Sequence, residues 1–467
     1  MNRTVRRIAL ILTVAASATA LAVPCPEPEI VSPGVKHVVL CKGEVSTETT
    51  YRILLGVFEH QAEADEMLAG LQSQGFQAVL DANGSDYRIY TAGVATRDDA
   101  KNIGRHLEAN GYSVPPQIEE VRQDLTHANG PWRINVLEAD PKMVDVRVAH
   151  AYDAAIGLET TAALAERHGA LAAINGGYFY MEGLLAGDSR GALRIDGRVL
   201  SEPDRGRASV GFFDRDGVTR AVFGRLSLDG EIHLADGAAV PFDGINRRRE
   251  PSEIIVFTPD FHRTTLTPPG GTEVIVRDGR ITAVRKGAGS SVIPSTGVVL
   301  SIDAERTTEV LPRLHPGGQV SVETKLISLL PDLKKEWRET DFIVSGGPLL
   351  LWKGNRLEEP EKESISKVFF LARHPRTAVG VRADGTLLFV TVDGRQPEES
   401  VGMSLPELTD LMLELRCVSA VNLDGGGSTT MVIEGRIVNR PSGTEARRNA
   451  DAILLYPREN EELGMRN

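Results

Sequence analysis

The sequence predicts an α+β protein: a β-rich main domain with a few helices, plus a small ferredoxin-like α+β domain on its N-terminal side. Three observations predict it. First, a strand–helix unit recurs. Tyr51-Arg52-Ile53-Leu54-Leu55-Gly56-Val57-Phe58 precedes Ala62, Ala64, Leu68 and Leu71 at helical spacing, and Tyr87-Arg88-Ile89-Tyr90-Thr91-Ala92-Gly93-Val94 precedes Ala100, Ile103 and Leu107. Two βα halves of this kind suit a ferredoxin-like sandwich. Second, short apolar runs fill the stretch from Pro131 to Tyr456, among them 132–137, 144–148, 210–213, 253–257, 298–302 and 387–392. Acid–glycine pairs such as Asp196-Gly197, Asp216-Gly217, Asp278-Gly279 and Glu434-Gly435 punctuate them as turns. Third, two helices interrupt this stretch: 160–168 with Thr160 as N-cap candidate, and one opened by Ser404-Leu405-Pro406-Glu407, a capping-box pattern.

The elements follow in order. Arg3, Arg6 and Arg7 precede the apolar core Ile8 to Val14 and the small residues around Ala20-Leu21-Ala22. Residues 1–22 read as a secretory signal peptide, which predicts a periplasmic or secreted protein of the cell envelope. No later run is apolar and long enough to span a bilayer, so no transmembrane segment is expected in the mature chain. Residues 23–50, rich in Pro, Glu, Ser and Thr, read as a linker. Of the three cysteines, Cys25 and Cys41 are able to form a disulfide in an exported chain, and Cys417 reads as a buried, inert thiol. The net charge of -12 argues against nucleic-acid binding and against docking on an anionic membrane.

Residues 51–120 resemble the SPOR family. The resemblance rests on the aromatic-x-Ile-x-x-Gly-x-Phe opening at 51–58, the Ala-rich first helix, and the second strand at 87–93 before Arg97-Asp98-Asp99-Ala100. It implies a domain that binds peptidoglycan glycan strands. A packing or partner-docking role for the same fold is the alternative.

Four glycine-rich loops follow apolar runs in the main domain, 131–456. They are Asn175-Gly176-Gly177-Tyr178-Phe179, Ser345-Gly346-Gly347-Pro348, Asp393-Gly394-Arg395 and Asp424-Gly425-Gly426-Gly427-Ser428. Glycine serves where the backbone takes φ > 0 or closely approaches another group. Four such strand ends suggest convergence on one pocket. Asp393 and Asp424 form a candidate carboxylate pair for glycoside hydrolysis. Arg376 and Arg395 are suitable bidentate phosphate donors. Gly176, Gly177 and Gly425 to Gly427 offer backbone N–H groups, and His374 is a weaker acid/base candidate.

Together with Pro375-Arg376-Thr377-Ala378-Val379-Gly380 and Arg448-Asn449-Ala450-Asp451, these loops resemble the phosphodiester glycosidase family, in the family's motif order. The resemblance implies hydrolysis of the glycosidic bond of a sugar 1-phosphodiester. On that reading Asp424 and Asp393 are catalytic, and Asn175 orients substrate or water. Tyr178 or Phe179 stacks on the sugar, and Ser345, Gly346 and Ser428 complete the binding surface. Acids and amides around one pocket are also able to hold a divalent cation such as Ca²⁺, although no ligand spacing is diagnostic. The competing function is a non-catalytic envelope protein that binds a glycan or phosphate. Residues 457–467 read as a tail.

Overall fold

The computed structural model describes residues 25–458, apart from 44–49, 59, 82–86, 113–117, 122–129, 154–155, 332–333, 358 and 397. The expected signal peptide and most of the expected tail lie outside the described residues. Among the described residues, no helix is long and apolar enough to cross a membrane.

The small domain runs β3 (Thr50–Phe58), α1 (Gln61–Ser73), β4 (Ala78–Asp81), β5 (Tyr87–Thr91), α2 (Arg97–Ala109) and β6 (Ile118–Val121). Its sheet order is β4-β5-β3-β6, the ferredoxin-like arrangement the repeat predicts. Ile53, Leu55 and Ile89 of the sheet bury against Ala64, Leu71, Ala100 and Leu107 of the helices. Thr96 caps α2 by accepting from the Asp99 N–H at 3.1 Å, and Gly75 (φ +84°) lets the chain turn after α1.

The expected linker 23–50 is corrected. β1 (Glu29–Ser32) and β2 (Val35–Lys42) are strands of the main domain. β2 pairs antiparallel with β7 (Trp132–Ala139) along its whole length, from Val35 opposite Ala139 to Lys42 opposite Trp132. The period-2 pattern of Val35, His37 and Val39, all buried, drives this pairing. Cys25 and Cys41 are joined by a disulfide. The small domain is therefore inserted between two paired strands rather than strung ahead of the main domain.

β2 and β7 belong to an eight-stranded sheet that continues through Leu387–Val392, Arg376–Arg382, Cys417–Asn422, Leu349–Trp352 and Asn355–Arg356. Both faces are buried. One packs on the helix Leu405–Glu414 through Leu408, Leu411 and Met412. Ser404 and Glu407 start that helix with the expected capping box. The other face meets two further sheets, with Phe389, Val379 and Val421 against Ile174, Ile453, Val210 and Phe212. A long antiparallel pair, Val218–Leu234 with Val320–Ser328, carries a separate five-stranded sheet with its own core of Ile254, Val256, Val274 and Leu300.

Candidate active site

Register brings the strand ends together. Arg376 lies opposite Val392, which precedes Asp393, and Ala378 lies opposite Asn422, two residues before Asp424. A cavity of about 250 Å³ opens there, bounded by Asp424, the three glycines after it, Arg376, Arg395, Arg447 and His374. A larger cavity, about 540 Å³, lies beside Tyr456 and Phe261 and contains none of the expected site residues.

Each glycine of the Asp424 loop has its own steric reason. A Cβ on Gly425 would sit 2.6 Å from the Pro375 carbonyl oxygen. Gly426 has φ +60°, in the left-handed region. A Cβ on Gly427 would sit 2.6 Å from an Arg447 guanidinium nitrogen. The loop is thus shaped to let Arg447 lie flat against it. Arg447 Nη1 donates to Ser428 Oγ at 3.4 Å, which ties the guanidinium to the same turn.

The cavity is cationic by construction. Arg376 is 1% exposed; its Nε donates to the Met403 carbonyl at 2.8 Å and its Nη2 to that of Ala372 at 2.7 Å. Burial lowers its pKa to about 10, which still leaves it charged at neutral pH. Arg376 is therefore a rigid cation in the cavity wall rather than a mobile clamp. Burial first, then the nearby Arg447 charge, lowers the Arg395 pKa. Among the described residues, none of these three guanidiniums has a carboxylate at ion-pair distance. Three uncompensated guanidiniums around one cavity favour an anion. His374 is held neutral: burial, then Arg376 and Arg395, push its pKa down to about 3. Its ring stacks on Phe369 at 5.9 Å, and Arg395 Nη2 lies 3.4 Å from its Nδ1.

Asp424 is the carboxylate of this cavity. Burial raises its pKa to about 6, against the lowering effects of Ser428, Arg447 and the Gly425 N–H. The Gly425 N–H donates to Oδ1 at 2.9 Å.

Several expected roles are corrected. Asp393 does not line the cavity. It is 1% exposed, and its Oδ1 accepts from Asn439 Nδ2 at 3.2 Å and the Arg440 N–H at 3.0 Å. It anchors the 439–440 segment behind the site, so the carboxylate pair is not formed in the cavity. Asn175 is fully buried and saturated: Oδ1 accepts from Thr377 Oγ1 at 2.8 Å and the Thr430 N–H at 3.1 Å, and Nδ2 donates to the Asp424 carbonyl at 2.8 Å. It fixes the Asp424 backbone and has no capacity left to orient substrate or water. The Gly177 N–H donates to Asp451 Oδ1 at 2.7 Å, and a Cβ on Gly176 would lie 1.9 Å from that atom. This loop serves a buried acid, not a ligand. Tyr178 donates to the Gly347 carbonyl at 2.9 Å under the Arg207 guanidinium, and Phe179 is buried, so neither offers a free stacking face. Ser345 Oγ bonds Ser209 Oγ at 2.7 Å, and Gly346 allows close approach to the Asn422 carbonyl. Both are structural. Ser428 is fully buried and bridges Arg447 to Asp424 rather than touching the cavity.

Arg447 was missed by sequence reasoning. Its signal was its place just ahead of Arg448-Asn449, but no local pattern shows which arginine folds back onto the loop. Asp451 was likewise invisible as the acid that organises Gly176 and Gly177. A calcium ion does not suit the Asp424 cavity, because the side chains around that acid are guanidiniums. Among the described residues, the carboxylate and imidazole group with metal-ligand proximity is Glu231, His233 and Glu323, on the long antiparallel strand pair.

Two expected results follow from this geometry. Gly176→Ala drives a methyl into the Asp451 carboxylate and should destabilise the protein by about 1–3 kcal/mol, seen as a lowered Tm. An unchanged Tm would show that the loop relaxes freely. Asp393→Asn keeps an acceptor for Asn439 and Arg440 while removing a buried charge that burial already holds up to about 6. It should therefore fold normally and alter substrate affinity by less than about threefold; a collapse of turnover with an intact fold would return Asp393 to the chemistry.

The architecture and the cavity define a class: a β-rich α+β protein whose strand ends hold one carboxylate among guanidiniums, a setting for an anionic ester. Comparison places that class. Residues 270–456 match the phosphodiester glycosidase family and residues 47–114 match the SPOR domain. The match omits Asn175 to Phe179, which the structure packs against the matched part. The N-acetylglucosamine-1-phosphodiester alpha-N-acetylglucosaminidase of Mus musculus is 39% identical over 104 residues, 22% of this chain and 20% of that protein. An SPbeta prophage-derived protein of Bacillus subtilis is 41% identical over 86 residues, 18% of this chain and 13% of that one. The chain thus spans a fifth or less of these relatives' lengths. The crystal structure of a Burkholderia pseudomallei protein described as exported superposes with a TM-score of 0.72 at 26% identity, covering 92% of this chain and 96% of that one. A Synechocystis protein gives 0.62 at 19% identity over 91% and 78%, a likeness of fold.

Proposed function

We propose that this protein is an exported hydrolase that cleaves the glycosidic bond of a sugar 1-phosphodiester. The observation that carries the reading is Asp424 facing Arg376, Arg395 and Arg447 in one cavity. When C1–O breaks, the departing phosphate goes from one negative charge to two. Guanidiniums placed at that oxygen therefore bind the transition state more strongly than the ground state. A phosphate is a good leaving group without protonation, which removes the need for a carboxylic acid partner and fits a cavity with one acid. Asp424, as carboxylate, stabilises positive charge at the anomeric carbon or activates water. Neutral His374 accepts from Arg395 and holds it in place.

The SPOR domain is proposed to bind peptidoglycan glycan strands and to keep the protein in the cell envelope, periplasmic or secreted. The direct test is sugar release from a panel of α- and β-linked glucose, mannose and N-acetylglucosamine 1-phosphate methyl esters. No release from any of them would reject the reading. Sedimentation with purified peptidoglycan tests the SPOR role, and a protein that stays in the supernatant removes it. Asp393 lying outside the cavity favours a second reading, a glycan- or phosphate-binding protein without turnover; saturable phosphate binding with no sugar release would support that one.

The pH dependence has a definite sign. The Asp424 carboxyl, raised to about 6, is protonated on the acid side and ionised on the basic side. If the carboxylate is the working form, kcat/KM climbs with pH through that value, about tenfold per unit well below it. A flat profile from about pH 4.5 to 7.5 would exclude Asp424 as the titrating group.

A further inference from the structure

The small domain is tethered at both ends to one point of the main sheet. β2 leaves the sheet at Lys42 and β7 re-enters it at Trp132, and these two residues are register partners. On the other side of β7, Ile134 lies opposite Val392, so the tether point and the Asp393 strand end occupy the same end of the sheet. The Asp393 N–H donates to the Arg133 carbonyl at 3.0 Å, which ties that strand end to the re-entry point. Both chain connections of the small domain therefore start from the end of the sheet that carries the cavity.

The cavity records the consequence. Tyr87, the first residue of β5 in the small domain, lines it together with Asp424, Arg395 and Phe369. Tyr87 is half-buried; its ring also packs on the edge of the small domain's core, and its backbone pairs with Phe58. The ring is therefore rooted in one domain and faces the cavity of the other. The main domain's own aromatic residues near the glycine loops do not serve this purpose, since Phe179 is buried and Tyr178 lies under Arg207. An arginine-lined cavity recognises phosphate, but a sugar also presents apolar C–H faces, which aromatic rings cover well.

We propose that Tyr87 is a substrate-positioning residue, and that the SPOR domain completes the glycosidase cavity by laying this ring against the sugar of the phosphodiester. The inference rests on the glycosidase reading above. It makes the two domains one functional unit: the domain proposed to hold glycan also supplies a wall of the site, which suits substrates whose sugar phosphodiester is attached to an envelope glycan.

Two measurements on the full chain test it. In the first, Tyr87→Ala should raise KM for a cleaved sugar 1-phosphodiester about threefold to tenfold, the range for loss of one aromatic contact, with kcat within about twofold. Tyr87→Phe should restore KM, because the ring and not the hydroxyl does the work. If the wild type cleaves and Tyr87→Ala leaves KM unchanged, or speeds turnover as removal of a cover would, the proposal is overturned. If the wild type cleaves no sugar 1-phosphodiester, the glycosidase reading fails and takes this role with it. In the second, Tyr87→Cys combined with Ser366→Cys should give an intramolecular cross-link with a short bis-maleimide, read by mass spectrometry of the joined peptides, since both positions line the cavity. The free Cys417 is buried and does not compete. Absence of that cross-link in the folded protein would overturn the domain apposition whatever the turnover shows.

Discussion

Asp424→Asn is expected to lower turnover of a sugar 1-phosphodiester by about 10²–10⁴-fold, the range for losing a positioned acid/base group, while leaving Tm unchanged. The fold should survive because asparagine retains an oxygen for the Gly425 N–H, the contact Asp424 Oδ1 accepts at 2.9 Å. The backbone around it is held independently, by the Asn175 amide on the Asp424 carbonyl and by the Asp424 N–H on the Gly176 carbonyl at 3.2 Å. The substitution also removes an acid whose burial already disfavours charge, so no stability is lost with it. Phosphate binding should persist or tighten, because the three guanidiniums lose a nearby negative charge. Initial rates and a thermal melt, run side by side, decide the matter: near wild-type turnover with an intact melt would leave Asp424 a structural acid.

The second large effect is expected at Arg447. Arg447→Gln should cost about 10²–10³-fold in kcat/KM, the scale for losing one donor to a developing anion. Arg447→Lys should recover only part, because an ammonium keeps the charge and loses the planar fork that lies along Gly427. The electrostatics separate this from Arg376. Arg447 and Arg395 flank the glycine turn from the cavity side, with Gly426 and Gly427 making room for them. Arg376 is locked by carbonyls, so its loss should cost stability as well as rate. Steady-state kinetics of the Gln and Lys variants test this, and a Gln variant with unchanged kcat/KM would remove the phosphate role.

Much of the fold was legible in the sequence. Period-2 and period-3.6 patterns are local, and so are Gly75 after α1, Thr160 as a cap and the Ser404-Glu407 box. The ferredoxin-like domain and the β-rich main domain could therefore be read from short windows. β2 escaped because Pro and Glu crowd the residues before it, and its partner β7 lies ninety residues on, beyond the small domain. Insertion of a domain between two paired strands is a long-range fact that no window contains.

The site divided along the same line. Asp424 and its glycines announced a ligand loop, and Arg395 and His374 stood close by in sequence. Asn175, Ser345 and Tyr178 carried the same motif chemistry, yet their hydrogen-bonding groups are consumed by protein partners, and Asp393 is turned away from the cavity toward Asn439, Arg440 and Arg133. A motif residue that builds a site and one that touches substrate look alike in a sequence, because both are polar and both sit beside glycine. Arg447 and Tyr87 had no motif to mark them.

The sequence by itself determined the class of fold, the family segments and the glycine loop that borders the cavity, since these depend on local pattern and on residue type. The tertiary structure alone decided which acid faces the cavity, which arginines remain uncompensated there, and that a residue of the small domain reaches it. Those depend on who satisfies whom across the sheets, and a buried polar group commits its bonds to partners that lie far away along the chain.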